Sequence, residues 1–591
     1  MAVTLAIAFA LTLPATLSAR PDPGLLTPQQ VWRGYDPRAE PLDLELLRQW
    51  TEGGARFREV YFTGKTVGDE AVRVYAIYAA PEGGSDLPAI LHVHGGGQTV
   101  NVNWLKFWTG RGYAALTFNW GGEWPDRDKY TLWGPLTHAN HKHAGRRLRA
   151  TDPDVRASSW YEWALVTRRA LTFLEQQPQV DPKRLGAFGV SMGGTIMWYL
   201  AGVDDRLQAG CAIYGVGWNS YRHQPKYALG HTPEPPDEST LRWRAGMAPE
   251  AYAPRVKCPM LFLSATNDQH GDMDRSYDTL DAIPRGVPRR QAFTPRFRHH
   301  IGADLAQDLP LWMDTWLRGG SRWPRTPTAK LQLARGGVPE LRVLPDASQQ
   351  VASVETYYAL ENPHAVNRYW RSAEGRRAGR GWLATLPVMD VDAYLFAFAN
   401  VHYASGICLS SQLQAAIPSK LGRARATDSP SLVMYDGSDG IGGWVTSSPG
   451  TDPLPPVRVP LHPAAGPGGR RGFTVFKHGS PRTHQLGDPK WRGPAGASLS
   501  FEVATRHPQE FVVAVHEREF LPGSAEYNAR VSVAGKEDAW QTVVLGVDQL
   551  KSTTDGTPLE NWDEVVMLEL KRPEAGWSDD NIIFTNFRWL P

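Results

Sequence analysis

The segment that decides the fold is Gly189-Val190-Ser191-Met192-Gly193-Gly194, in which glycines stand two positions before and two positions after a serine. The apolar residues 185–188 before it are typical of a short strand, and residues 195–200 after it are typical of a helix. A sharp strand-to-helix turn needs glycines beside the serine, because larger side chains would obstruct the bend. The segment therefore predicts that Ser191 presents a nucleophilic hydroxyl. The alternative is a glycine-rich turn with a chance serine.

A second glycine-rich motif, His94-Gly95-Gly96-Gly97, follows a predicted strand at residues 87–94. Glycines let backbone N–H groups approach a substrate carbonyl without steric hindrance. We expect the N–H groups of Gly96, Gly97 and Met192 to form an oxyanion hole, close to the positive end of the helix that follows Ser191. Taken alone, the motif also fits a flexible glycine turn.

A nucleophilic serine needs a general base, and the base needs an acid that orients it. The predicted strand at residues 260–265 runs into Thr266-Asn267-Asp268-Gln269-His270. Asp268, just past the strand end, is the predicted acid. Asp272 and Asp274 are nearby alternatives, although their positions also suit a helix N-terminus or a solvated surface.

Two adjacent histidines, His299 and His300, follow the next predicted strand at residues 291–295. Neighbouring side chains point in different directions, so only one of the two can serve as the base. His270 is a competitor. The group at positions 138, 141 and 143 is another, and its three histidines are of the metal-ligand type. No matching carboxylate or cysteine pattern accompanies that group, so we expect no metal at the site.

The two halves of the chain differ in hydrophobic pattern. Up to about residue 320, strands alternate with helices at 160–176, 191–202 and 303–317, which predicts an α/β fold with a mostly parallel, doubly wound sheet. From about residue 326, short strands broken by Gly and Pro predict all-β sandwiches, with a linker at 419–430. We therefore expect a catalytic domain at 20–325, a first β-sandwich at 326–425 and a second, of the jelly-roll kind, at 426–591.

Composition excludes some functions and leaves others open. The 591 residues carry a net charge of +2, which gives no field to attract nucleic acid. Only three cysteines occur, so a disulfide framework is not expected. One bridge between Cys211 and Cys258 remains an alternative to buried free thiols. The sequence does not indicate an oligomeric state.

The first residues have the pattern of an export signal. An apolar run at residues 2–13 is followed by small residues up to Ala19, although no Lys or Arg precedes the run. We expect a signal peptide at residues 1–19 and an exported protein, periplasmic or extracellular. A late or early start, or an N-terminal helix, is the alternative. No other stretch is long and apolar enough to span a membrane.

The motifs together resemble bacterial α/β-hydrolases of the acetylxylan-esterase, dienelactone-hydrolase and prolyl-oligopeptidase-like group. The resemblance covers about residues 40–320 and rests on the segments His-Val-His-Gly-Gly-Gly-Gln (92–98), 189–194, Ala-Gly-Val-Asp-Asp-Arg-Leu (201–207), Ala-Thr-Asn-Asp (265–268) and Arg-His-His-Ile (298–301). It implies Ser191, Asp268 and His299 as the triad, with no metal or cofactor. Arg298 stands where the group commonly has Asn, so His300 stays open as the base.

The later part of the chain also resembles known modules. Residues 326–420 look like an immunoglobulin-like module. The last part is similar to jelly-roll carbohydrate-binding modules, in motifs that include Trp444, Trp562 and Trp589. A purely structural domain that shields the hydrolase is the alternative there.

The expected activity is hydrolysis of a carboxylic ester through an acyl-enzyme, on a small-molecule or polysaccharide substrate. We expect the insert at 121–158, with Trp124 and Trp133, to shape the substrate pocket, and a second insert at 215–254 to cross the same mouth. One alternative is a serine peptidase of the prolyl-oligopeptidase kind, but too few residues precede the first motif for a propeller. The other is a non-catalytic polysaccharide-binding protein.

Overall fold

The computed structural model describes residues 25–216, 221, 223–230, 234–446, 453–455, 461–577 and 582–591. The predicted signal peptide at residues 1–19 lies outside the described residues. Among the described residues, the strands of the first half form one sheet: β1 (Glu45–Glu52), β2 (Ala55–Val67), β3 (Glu70–Pro81), β4 (Leu87–Val93), β5 (Ala114–Phe118), β6 (Val180–Val190), β7 (Leu207–Ile213), β8 (Met260–Ala265) and β9 (Arg289–Thr294).

The strand order in this sheet is β1-β2-β3-β5-β4-β6-β7-β8-β9. Strands β4 to β9 pair in parallel, whereas β1 and β3 are each antiparallel to β2, and β3 is antiparallel to β5. Every residue of β5 and β8 is buried, as expected for parallel strands that are covered by helices on both faces. The parallel strands therefore end at one edge of the sheet, where the loops that carry the motifs emerge.

In the described part of the chain, helices connect these strands or cover them: α1 (Pro28–Val31), α2 (Val102–Gly110), α3 (Ser159–Glu175), α4 (Met192–Val203), α5 (Glu238–Gly246), α6 (Pro249–Tyr252), α7 (Met273–Ala282), α8 (Ala303–Ala306) and α9 (Asp308–Arg318). The insert at 121–158 contains four short 3₁₀ turns: Thr137–Ala139, His141–His143, Gly145–Arg147 and Val155–Ala157.

The ends of the helices follow from single residues. The side chain of Ser158 caps α3 by accepting the Tyr161 N–H, and Gly319 ends α9 in the left-handed conformation at φ 73°. The single helix predicted at 303–317 is in fact two, α8 and α9. Pro310 has no N–H to donate to the carbonyl four residues earlier, so the helical ladder breaks between them.

The second half consists of antiparallel sheets, as predicted. The strands between residues 328 and 416 form two sheets. One has four strands, in the order β10-β11-β15-β14, and the other has five, in the order β13-β12-β16-β17 with β18 beside β16. Their bounds are β10 (Thr328–Leu333), β11 (Pro339–Leu344), β12 (Val351–Leu360), β13 (Arg371–Ala373), β14 (Gly375–Ala378), β15 (Gly381–Thr385), β16 (Leu395–Tyr403), β17 (Cys408–Ser410) and β18 (Gln414–Ala416).

In the described part of the chain after residue 430 there are two more sheets of six strands each. One has the order β21-β22-β30-β24-β27 with β19 beside β30, and the other β20-β23-β29-β25-β26-β28. Their strands are β19 (Val433–Tyr435), β20 (Val445–Thr446), β21 (Leu461–Ala465), β22 (Arg471–Val475), β23 (Pro481–Thr483), β24 (Ser498–Ala504), β25 (Gln509–Glu517), β26 (Ala525–Val533), β27 (Gln541–Leu545), β28 (Lys551–Ser552), β29 (Val565–Lys571) and β30 (Ile583–Leu590).

Three tryptophans on which the expected sugar binding depends lie inside this last part of the chain. Trp444, Trp562 and Trp589, which carried the resemblance to carbohydrate-binding modules, are 1, 1 and 2% exposed and belong to its hydrophobic core. Their rings pack against other aromatic rings, so they present no flat face to a sugar.

Cys211, Cys258 and Cys408 are buried free thiols, so the alternative of a bridge between the first two is not what the structure has. Among the described residues, no helix combines the length and apolar character that crossing a bilayer requires.

The part of the chain that contains strands β1 to β9, called the hydrolase-like half below, shares a buried polar interface with the first pair of antiparallel sheets, β10 to β18. Arg368 donates two hydrogen bonds to the Asp274 carboxylate, at 2.5 and 2.7 Å, and neither side chain is more than 1% exposed. Asn267 donates to the carbonyls of Val366 and Arg368, at 2.9 and 2.7 Å. Buried charges are tolerated only when they are paired, so this pair fixes how the two parts meet.

The substitution Arg368→Met should lower the free energy of unfolding by about 3–5 kcal/mol, because it leaves the Asp274 carboxylate buried without its partner. Chemical denaturation of the full chain measures the change. Lys257→Ala is the control: Lys257 pairs with Asp205 at the surface, where the two side chains are 70 and 73% exposed, and its loss should change stability by less than about 0.5 kcal/mol. Equal effects of the two substitutions would contradict the assignment.

Candidate active site

Ser191 occupies a strained turn between β6 and α4. Its backbone has φ 58° and ψ −117°, in the left-handed half of conformational space that non-glycine residues rarely adopt. The Ser191 N–H donates to the Ile213 carbonyl at 2.8 Å, and the Ser191 carbonyl accepts from Thr195 N–H at 3.1 Å. Ser191 is partly exposed, so its hydroxyl is not sealed inside the protein.

The glycines around Ser191 are required by space. A Cβ on Gly189 would lie 2.1 Å from the Gly193 carbonyl oxygen, and one on Gly193 would lie 2.1 Å from the Val93 oxygen. At Gly194 it would lie 2.5 Å from the Ile213 oxygen. Because backbone atoms cannot move aside as a flexible side chain can, each glycine is needed for the close packing of β4, β6 and α4.

The imidazole of His299 bridges Ser191 and Asp268. Its Nε2 lies 2.7 Å from Ser191 Oγ, and its Nδ1 lies 2.8 Å from Asp268 Oδ1. The Asp268 carboxylate also accepts the His270 N–H at 2.8 Å and the Ser264 hydroxyl at 3.1 Å. The Asp268 side chain is fully buried, whereas that of His299 is 13% exposed. A fixed carboxylate therefore holds the imidazole with its other nitrogen toward the serine.

The alternative acids, Asp272 and Asp274, have other partners. Asp272 caps α7 by accepting the Asp274 N–H, and burial together with the Asp274 charge raises the pKa of Asp272 to about 6. Asp274 itself is bound by an arginine, as described above. His300 donates its backbone N–H to the Arg298 carbonyl, and the ring of His270 stands edge-on to that of His299, with centroids 5.6 Å apart.

The His94 side chain organises the glycine-rich loop after β4. Its Nδ1 donates to the Gly95 carbonyl at 2.7 Å, and its Nε2 accepts the Trp120 N–H at 3.3 Å. Burial lowers the pKa of His94 to about 3, so the ring is neutral. A neutral imidazole can donate a hydrogen bond from one nitrogen and accept one at the other. The Gly95 N–H is itself taken up by Gln98 Oε1 at 2.7 Å.

Gly96 lies directly against the start of α4. A Cβ there would be 2.5 Å from Met192 Sδ, so a larger residue would require the flexible Met192 side chain to move aside. Gly97 has φ +71°, which favours glycine, and its carbonyl accepts from the Arg127 guanidinium. The structure thus brings Gly96 beside the Met192 side chain, and Arg127 of the insert holds the Gly97 carbonyl.

The insert at 121–158 places some aromatic residues at the loop and others in the core. Trp124 is partly exposed and lies 3.9 Å from a Cβ built on Gly97, whereas Trp133 is only 2% exposed and packs under the insert. His141, which the sequence offered only as part of a metal group, lies with Nε2 3.5 Å from a Cβ built on Gly96. Among the described residues the three insert histidines do not form a metal-ligand group.

Arg298, the residue before the predicted base, is held by a loop of the last pair of sheets. Arg298 forms a hydrogen-bonded ion pair with Glu519, whose side chain is 6% exposed, and its guanidinium lies 5.4 Å from the ring centroid of Phe520. His484 contacts the second oxygen of Glu519 at 3.4 Å, and burial lowers the pKa of His484 to about 3. Nothing local in the sequence signals this contact, because the two partners are 221 residues apart.

A pocket beside Asp268 is lined by residues of the hydrolase-like half and of both β-rich parts. It is lined by Asp268, Gln269 and Asp272 from the hydrolase-like half, with residues from the insert at 215–254, from the loop before β13 and from the loop after β25: His223, Gln224, Pro225, His364, Ala365, Val366, Phe520 and Leu521. Both β-rich parts therefore contribute surface next to the proposed triad.

One group of three or more metal-type ligands occurs among the described residues, and it lies outside the triad. It consists of Asp304, His402 and Cys408, whose ligand atoms lie within 4.8 Å of one another.

Family models match this half of the chain twice. The acetyl xylan esterase (AXE1) model covers residues 40–223 and so includes both glycine motifs, and the prolyl oligopeptidase family model covers residues 168–317, which includes Ser191, Asp268 and His299. Each match covers less than half of the chain.

Among curated proteins, the chain is similar to dipeptidyl-peptidase 5 of Porphyromonas endodontalis, with 22% identity over 44% of this chain and 36% of that protein. The chain thus spans about a third of the length of that relative. Among solved structures, it is similar to acetyl xylan esterases of Paenibacillus sp. R4 (18% identity, 48% of this chain, 91% of that one, TM-score 0.38) and of a Thermoanaerobacterium species (17%, 46%, 87%, 0.36).

The sheet order, the loops that carry the motifs and the two family matches define the class of the first half: it is an α/β-hydrolase of the serine-hydrolase kind, as predicted. Within that class it resembles both acetyl xylan esterases and prolyl-oligopeptidase-like peptidases, and it is followed by four antiparallel sheets.

Proposed function

We propose that the protein is a serine carboxylic-ester hydrolase in which Ser191, His299 and Asp268 form the catalytic triad. The observation that carries the proposal is the bridging imidazole, with Nε2 2.7 Å from Ser191 Oγ and Nδ1 2.8 Å from Asp268 Oδ1. These distances are those of a nucleophile, a base and an orienting acid in hydrogen-bond contact.

In the proposed reaction, Ser191 Oγ attacks the ester carbonyl while His299 takes its proton. The N–H groups of Met192 and Gly96, with Gly97 as the third predicted donor, stabilise the negative oxygen of the tetrahedral intermediate. His299 then protonates the departing alcohol, and Asp268 stabilises the imidazolium. His299 then takes a proton from a water molecule, whose oxygen attacks the acyl carbon. The bond to Ser191 Oγ breaks, the acid is released, and His299 returns the proton to Ser191 Oγ.

The substrate class that we propose is an acyl ester of a carbohydrate or a related alcohol. Support comes from the acetyl xylan esterase model, which covers the oxyanion loop, the insert and the serine turn together. The insert brings Trp124 and His141 to the glycine loop. Burial lowers the pKa of His141, so this ring presents a neutral polar edge beside Gly96.

A peptidase is the second candidate. The prolyl oligopeptidase model covers all three proposed triad residues, and the curated relative is a dipeptidyl-peptidase. The same triad chemistry cleaves amides and esters, so a comparison of ester and amide substrates distinguishes the two candidates.

We further propose export, on the pattern of residues 1–19, and a division of the chain near residues 325 and 425. The sheet memberships support the division, because no sheet of the described chain combines strands from both sides of either boundary. The folds of the two β-rich parts are proposed as immunoglobulin-like and jelly-roll, respectively.

Ser191→Ala and His299→Ala should each lower kcat by up to the order of 10⁶-fold, because the triad acts as a unit. His300→Ala is the matched control and should keep most of the activity. Hydrolysis of an aryl acetate measures all three, and covalent labelling by a fluorophosphonate should disappear in Ser191→Ala. If His300→Ala were the inactive variant, the base would shift by one residue, and an unlabelled wild type would favour the non-catalytic alternative.

The same preparations should be tested on acetyl esters, longer acyl esters, methyl uronates and a prolyl aryl amide. We expect the acetylated sugar to have the highest kcat/KM. Turnover of the amide alone would overturn the esterase proposal and leave the triad intact.

Glu519 is a proposed positioning residue, since it reaches His299 only through Arg298. Glu519→Gln leaves the Arg298 charge without its partner beside the base, so we expect kcat to fall by up to about 10²-fold with KM little changed. The control is Glu564→Gln, which removes the exposed partner of Arg518. A normal kcat in Glu519→Gln would refute the role.

A further inference from the structure

We propose that Asp304, Glu355, His402 and Cys408 form a binding site for a divalent transition metal of the zinc type. The four residues come from three places in the chain: Asp304 from α8, Glu355 from β12, and His402 and Cys408 from the adjacent strands β16 and β17. This site is separate from the triad and does not take part in the proposed hydrolysis.

The spacing of the donor atoms is near that of tetrahedral coordination, and one pair already has it. His402 Nε2 lies 3.3 Å from Glu355 Oε2 and 4.0 Å from Cys408 Sγ. With Zn–N and Zn–O bonds of about 2.0–2.2 Å and Zn–S bonds of about 2.3 Å, donor atoms at tetrahedral angles stand about 3.3–3.7 Å apart. The donor atoms of Asp304, His402 and Cys408 all lie within 4.8 Å of one another, and Glu355 joins this group through His402.

The donor groups of the cluster suit a cation. Two carboxylates, Asp304 and Glu355, face a single imidazole, and a third carboxyl group, Asp308, lies behind the thiol with one oxygen buried and unbonded among the described residues. The guanidinium of Arg296 lies 5.8 Å from the Tyr357 ring. Carboxylate, imidazole and thiol groups gathered in this way are the donor types that hold a transition metal.

Outer hydrogen bonds hold two of the ligands in place. Tyr357 donates its hydroxyl to Glu355 Oε2 at 2.6 Å, and Asp308 Oδ1 accepts the Cys408 N–H at 3.0 Å. Metal ligands in proteins are commonly oriented by such partners. The Glu355 side chain is 48% exposed and that of His402 is 22% exposed, so an ion can enter from solvent.

The donor types select the metal. One sulfur, one imidazole nitrogen and carboxylate oxygens suit Zn²⁺, whereas Ca²⁺ and Mg²⁺ prefer oxygen alone. On binding, the Cys408 S–H bond breaks, its proton goes to solvent, and the thiolate forms the metal–sulfur bond without any change of oxidation state. Bound metal would tie α8, which begins four residues after His299, to β16 and β17.

The test is a titration of chelator-treated full-length protein with Co²⁺, a spectroscopic substitute for Zn²⁺. We expect one equivalent to give a near-ultraviolet thiolate-to-cobalt band, which Zn²⁺ abolishes by displacement, and Zn²⁺ to raise the midpoint of thermal unfolding until one equivalent is bound. Cys408→Ser should remove the band. Cys258→Ser, which alters another buried thiol, should keep it.

Asp304→Asn guards against variants that fail to fold, because Asp304 is exposed. It should keep the native circular dichroism spectrum and weaken Co²⁺ binding by at least tenfold. The proposal is overturned if the wild type gives no thiolate band at stoichiometric metal, if the band survives Cys408→Ser, or if Asp304→Asn binds Co²⁺ as tightly as the wild type. These readouts do not use hydrolysis, so they stand or fall independently of the proposed function.

Discussion

The backbone strain at Ser191 is the constraint on which the rest of the site depends. A non-glycine residue at φ 58° costs about 1–3 kcal/mol and persists only where its surroundings leave no alternative. Here β7 takes the Ser191 N–H, and three glycines allow β4, β6 and α4 to approach so closely that no side chain would fit between them. The centre of the sheet therefore determines the direction of one hydroxyl.

The other two members of the proposed triad lie in loops that contact the β-rich parts. Asp268 follows Asn267, which binds carbonyls of the loop before β13, and His299 follows Arg298, which is paired with Glu519. The two β-rich parts are joined to each other by Arg371, whose Nε lies 2.8 Å from the Asp488 carboxylate. The loop of Asp268 is thus attached to the first β-rich part. The loop of His299 is attached to both parts, because Arg296 Nε donates to the Trp370 carbonyl and Arg298 is paired with Glu519.

These long-range contacts also explain which parts of the structure the sequence could predict and which it could not. The strands β4, β5, β6, β8 and β9, the serine turn and the loops after β8 and β9 were all predictable, because apolar runs, glycines and strand ends are local signals. The antiparallel strands β1 to β3 and helix α2 were not anticipated, and neither was the role of Arg298. The substitution of Arg for the expected Asn before His299 looked like a departure from a family pattern, and its partner is 221 residues away. Long-range ion pairs leave no periodic trace in a sequence.

The burial of the aromatic residues indicates what the last β-rich part contributes to the protein. The tryptophans that made the last part look like a carbohydrate-binding module are in its core, where their indole N–H groups, in Trp562 and Trp589, donate to backbone carbonyls. A sugar platform needs exposed ring faces, and these rings do not provide one. The side chains that the last part directs outward toward the hydrolase-like half are instead Glu519 and Phe520, beside Arg298. The contacts of this part therefore favour a role in holding the loop of His299 and in lining the pocket beside Asp268.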